Sequence, residues 1–158
     1  MELRSDLLLQ YKEFMQTTNI QEVYQEILKL IKYVRTRLEK EICGYNFMNR
    51  IVENEMDFSY FQMTNQKLKE LGLKIQVIFV HKSCSFEVWM SGYNRKIQNK
   101  YFEMISRCKC PYEKCQNPER NDYIVKIPVK KDIDKIEDII QEIKKDVDML
   151  EQFMCSNE

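Results

Sequence analysis

Three cysteines crowd into one short stretch, Cys108, Cys110 and Cys115. Thiolates at that density are the ligands zinc prefers, and Cys43, Cys84, His81 or Cys155 would have to complete a tetrahedron. Structural zinc sites usually pair two Cys-x2-4-Cys knuckles, whereas Cys108-x-Cys110-x4-Cys115 stands alone. A loop of reduced thiols is the plainer reading, and no cofactor is expected. His81, the only histidine, lies three residues before Cys84. The two could act as base and nucleophile, but the sequence shows no orienting acid and no oxyanion motif beside them. Glu87 sits between Phe86 and Val88 on a stretch that reads as a strand. Together with Asp57 it could hold magnesium if the two carboxylates converged.

A second chemistry lies in Arg95, Lys96, Lys100, Arg107, Lys109 and Lys114, interleaved with Tyr93, Tyr101 and Phe102. Cations among aromatic rings can track phosphates and stack bases, so residues 95–109 keep nucleic acid open as a partner. The same composition suits an amphipathic helix with its aromatics in the core. Tyr101 falls on one stripe with Ile97 and Ile105, which favours that reading.

The elements that must position these residues follow from hydrophobic period. Leu73, Ile75, Val77 and Phe79 alternate with Lys74 and Gln76, a half-buried strand that Ile78 and Val80 convert to one covered on both faces. Lys82-Ser83 turns the chain. The return strand sets Cys84, Phe86, Val88 and Met90 against Ser85, Glu87 and Trp89, and ends at Gly92. Asn94 can cap the helix that follows. Upstream, the pattern predicts a short helix from Leu7 to Met15 and a second from a capping box of Asn19 and Glu22 to about Ile42. That second helix exposes Lys29, Lys32, Arg35, Arg37 and Lys40, a solvated face. Residues 43–55 read as loop, 56–64 as a strand, and Gly72 closes a short turn or helix. Tyr123–Val129 gives a fourth strand, and Asp132 is expected to cap a long acidic helix striped with Ile133, Ile136, Ile140, Ile143, Val147, Leu150 and Met154. The order is α-α-β-β-β-α-β-α: an α+β fold with a mostly antiparallel four-stranded sheet covered by helices.

The segment FEVWMSGYNRKIQNKYFE, Phe86 to Glu103, resembles the signature of a bacterial domain-of-unknown-function family of small soluble proteins. MDFSYF, Met56 to Phe61, and the Arg35 region fit the same family, and the likeness runs from about Tyr11 to Phe153. The cysteine-rich loop lies outside that pattern, and the family implies no activity. The αβββαβ core order is also similar to the restriction-endonuclease-like fold, whose enzymes bind magnesium through an Asp and an acid-x-Lys pair. Here Glu87-Val88-Trp89 occupies the acid-x-Lys place, and residues 73–80 carry no acid.

With 158 residues, 25 basic against 25 acidic side chains, and three glycines, the chain reads as one domain spanning 1–158 with no global field for nucleic acid or membranes. No apolar stretch is long enough to span a bilayer, and no leader is evident, so the expectation is a cytoplasmic protein without membrane contact. The expected function is a non-enzymatic binding or interaction module, with Tyr60, Glu87, Trp89, Asn94 and Arg95 near the Gly92 hinge as its surface. The alternatives are a metal-dependent nucleic-acid enzyme or its inactive descendant, and a small-molecule binder using the aromatic sheet face. The stripe of the last helix could instead join two copies in a homodimer.

Overall fold

The computed structural model describes residues 3–157. Two helices open the chain, α1 (Ser5–Thr17) and α2 (Ile20–Glu41), followed by the short strands β1 (Asn46–Phe47) and β2 (Val52–Asn54). The middle comprises β3 (Phe58–Thr64), α3 (Gln66–Leu71), β4 (Leu73–Val80), β5 (Ser85–Gly92) and α4 (Arg95–Ser106). The chain closes with β6 (Glu113–Lys114), β7 (Val125–Pro128) and the long α5 (Ile136–Ser156). The fold is α+β, and the four strands expected from the sequence are present. Three short strands, β1, β2 and β6, extend the sheet to seven, two of them within residues read as loop from the sequence.

The sheet is antiparallel throughout, in the order β1-β3-β4-β5-β7-β6, with β2 also paired to β3. Alternation sorts its residues into two rows. Phe61, Val77, Val88 and Ile127 lie opposite one another on the inner face, while Gln62, Gln76, Trp89 and Lys126 form the equivalent row outside. Helices cover the inner face. Ile31, Val34 and Leu38 of α2, Tyr101 and Ile105 of α4, and six apolar residues of α5 join Phe79, Phe86 and Met90 in one core. Each large side chain buried there contributes roughly 1.5–3 kcal/mol by leaving water.

Two local expectations are corrected. Asn19 precedes α2 but its side chain makes no capping hydrogen bond. Asp132 does not cap α5, which starts at Ile136 after Lys135; instead the Asp132 carbonyl accepts the Lys135 N–H at 3.0 Å. The stripe of α5 faces its own chain: Ile139, Ile140, Ile143, Val147, Leu150 and Met154 are fully buried, packed towards β5, α2 and α3. The apolar seam considered for a homodimer is therefore already covered. By contrast α1 buries no residue, and leaves Leu7, Leu8, Tyr11 and Phe14 exposed. Among the described residues, no helix is long and apolar enough to cross a membrane.

Candidate functional site

The outer face of the sheet is where polar side chains interrupt apolar strands. Lys74 and Gln76 on β4, Tyr60 and Gln62 on β3, and Trp89 and Ser91 on β5 all project there by strand alternation. With Phe58 and Ile78 they line a cleft of about 340 Å³, which the start of α4 closes at one end through Asn94, Arg95 and Gln98. Its volume falls at the small end of the range that holds small molecules.

The hinge between β5 and α4 fixes that end. Gly92 is required by crowding: a Cβ there would sit 2.8 Å from the Gln98 backbone nitrogen. The Asn94 side-chain oxygen accepts the Ile97 N–H at 3.0 Å, so Asn94 does cap α4. Gln98 accepts the Gly92 N–H through Oε1 at 2.9 Å, and Tyr93 N–H donates to the Gly72 carbonyl at 2.9 Å. Gly72 itself ends α3 in the left-handed region at φ 75°.

Trp89, 6% exposed, forms part of the floor. Phe58 meets it edge-on at 5.3 Å between ring centroids and Tyr123 tilts against it at 5.0 Å. Its indole N–H donates to Glu87 at 2.6 Å. Glu87 also receives Lys126 at 3.2 Å, and Lys126 reaches Glu113 at 3.3 Å. Burial opposes the charge of Lys126, but Glu87 and its hydrogen bond outweigh that and hold the ammonium above its ordinary range. Arg95 and Arg35 are engaged elsewhere than at Glu87. Arg95 binds Asp122 at 2.7 Å and the carbonyls of Pro118 and Asn121; Arg35 binds the Met48 carbonyl and Glu39.

Of the residues singled out from the sequence, Tyr60, Trp89, Asn94 and Arg95 share the cleft, and Glu87 lies beside it, braced against the indole. Lys74, Gln62 and Gln76 were missed. Their signal was present, as polar residues on the outward positions of strands otherwise rich in apolar ones.

The other constellations separate. Cys108 donates to the Ile105 carbonyl, Cys110 to that of Tyr112, and burial pushes the Cys110 and Cys115 thiols above their ordinary range. Such thiols resist becoming thiolate ligands. Among the described residues, no group of three or more His, Cys, Asp and Glu side chains is arranged to hold a metal. His81 turns from Cys84 to Ser59, 2.8 Å from its Nε2, and stacks on Tyr24 at 5.5 Å; burial draws its pKa down. Ser59 is itself fully buried, while His81 is half-buried. In the basic helix, Tyr101 is fully buried and Lys100 lies over its ring at 4.9 Å. The interleaved aromatics therefore do not form one exposed stacking surface.

No curated protein and no solved structure matches the chain. A family model does match, the domain of unknown function DUF7000, over residues 4–156, and the chain belongs to that family.

Proposed function

We propose that the protein is a non-enzymatic binding module that holds a small polar molecule in the cleft on the outer face of its sheet. The observation that carries this reading is a concave site with an aromatic and aliphatic floor, Phe58, Ile78 and Trp89, ringed by polar side chains, some paired with one another and some not. Among the described residues, neither the Tyr60 hydroxyl nor the Gln62 amide makes a side-chain hydrogen bond, although both line the cleft. Few convergent polar groups over an apolar floor is the composition of ligand sites. The charged side chains at the rim, Arg95 and Asp122, neutralise one another at 2.7 Å, an arrangement that holds the 118–122 loop rather than activating a bond.

Trp89 is the only tryptophan, so its fluorescence reports on the cleft without background. A panel of small polar molecules would be screened by that signal and mapped by amide chemical shifts. Binding should move the resonances of Tyr60, Gln62, Gln76 and Trp89, and Gln76→Leu should weaken it at least tenfold. A specific ligand whose binding leaves those resonances still and survives Gln76→Leu would refute the reading.

A further inference from the structure

Five lysine or arginine side chains of the described residues are not exposed: Arg35, Arg37, Lys74, Lys126 and Lys144. Four of them have a carboxylate within 3.3 Å, through Glu39, Glu41, Glu137, Glu87 or Glu113. Among the described residues, Lys74 alone of the five has no carboxylate at ion-pair distance. A shielded ammonium is costly unless an opposite charge or hydrogen bonds compensate it.

Lys74 lines the cleft. Its Nζ lies 5.9 Å above the Tyr93 ring, a contact that offsets little of the lost hydration. Burial draws its pKa below the ordinary lysine value, with the nearby Asp122 charge pulling the other way. Asp122 is committed to Arg95 at 2.7 Å. Lys74 and Arg95 against Asp122 leave the lining residues with one net positive charge.

Next to Lys74 on the same face stands Gln76, only 6% exposed. Ser91 Oγ lies 2.6 Å from both the Gln76 side chain and the Asp122 carbonyl, and its one proton serves one of them at a time. Either way one end of the Gln76 amide is left without a protein partner, among the described residues, in a side chain that lines the cleft. A cation and a neutral amide therefore sit side by side at the margin of an apolar floor.

We infer that the cleft takes a small organic anion, its carboxylate or phosphate at Lys74 and its apolar body on Phe58, Ile78 and Trp89. This rests on the cleft being a ligand site. An anion at Lys74 would supply the missing counter-charge, and the body would take the shielded floor beyond it. The pairing of charge with an apolar surface excludes bare inorganic ions as the best ligand, because they leave the floor unfilled.

The experiment compares benzoate and phenyl phosphate with the neutral benzyl alcohol and with inorganic phosphate, using Trp89 fluorescence and amide shifts on the full chain. At least one of the two aromatic anions should bind ten or more times tighter than benzyl alcohol. Lys74→Met should erase that preference, the anions losing far more affinity than benzyl alcohol. Weak or absent response to inorganic phosphate is expected; binding as tight as that of the aromatic anions would overturn the role given to the floor. Equal affinity for neutral and anionic aromatics, or a preference that survives Lys74→Met, overturns the anion inference and leaves the cleft as a ligand site. If none of the four probes moves the cleft resonances, the cleft reading fails and the inference with it. Circular dichroism of Lys74→Met guards against misfolding, and Lys74→Arg, which keeps the charge, should retain the preference.

Discussion

Glu87 shows how a charged residue is tolerated in the middle of a sheet. Its partner is Lys126, 39 residues later and two residues from the position directly opposite on the neighbouring strand, and its carboxylate also receives the Trp89 indole. Both members of the pair are about one-sixth exposed, at 15% and 16% of the side chain. Removing one charge of a fully buried pair costs about 3–5 kcal/mol. Lys126 retains Glu113, so Glu87→Gln should cost less, about 1–3 kcal/mol, in urea denaturation. An unchanged midpoint would show that the pair contributes nothing. That Glu87 needed a partner could be read from its place on an apolar strand; which residue supplies it could not. The partner is set by β7 pairing with β5, and no local spacing encodes that.

Asp146 poses a different problem at the same scale. It lies on α5, 2% exposed, with a buried Oδ2 that has no hydrogen-bond partner among the described residues, and burial pushes its pKa up to about 7, with Glu142 adding and Lys145 opposing. The folded pKa is above the unfolded one, near 3.9, so the folded chain holds this proton more tightly. Its contribution to stability is fully present below the unfolded pKa and is lost as pH rises through the folded pKa. Between about pH 4 and 7 the wild type should therefore lose melting temperature relative to Asp146→Asn, which stays neutral throughout. Parallel melting curves over that window would show instead that the carboxyl is hydrated in solution.

Among the elements, the central strands and the hinge were the most legible. Leu73 to Phe79 and Phe86 to Met90 alternate clearly, and all the inward residues of both are buried. Phe86→Ala should cost about 3–5 kcal/mol, read from denaturant midpoints. Gly92 and Asn94 announced a strand end and a cap, and both serve as such. Because a Cβ at Gly92 would meet backbone, Gly92→Ala should cost about 1–3 kcal/mol and shift the amide resonances of Ile97 and Gln98, as α4 moves outward. Strands β1, β2 and β6 were invisible because two or three residues are too few to display a period. Pairing with β3 and β7 makes them strands, not their own composition.

For the molecule as a whole, stability is unevenly spread. Every covering helix contributes to the core except α1, in which nothing is buried. Deleting residues 1–18 should lower the helical signal yet leave the melting temperature within a few degrees, since surface elements contribute little to global unfolding. A loss of more than about 10 °C would mean that α1 docks more firmly than its exposure indicates. Ile140→Asp, in contrast, places a charge in the packed centre of α5 and should unfold the chain by circular dichroism.

The narrow margins of the sheet bear on how copies of the protein behave in a crowded solution. Its long strands, β4 and β5, have a neighbour on each side, while β1, with two residues, and β2, with three, border one side and β6, with two, the other. An unpaired rim of that length gives an incoming strand at most a couple of hydrogen bonds to template on, and β6 adds the charges of Glu113 and Lys114. Native copies are thereby kept from growing end to end into fibrils, so fibre formation should begin only once the molecule opens.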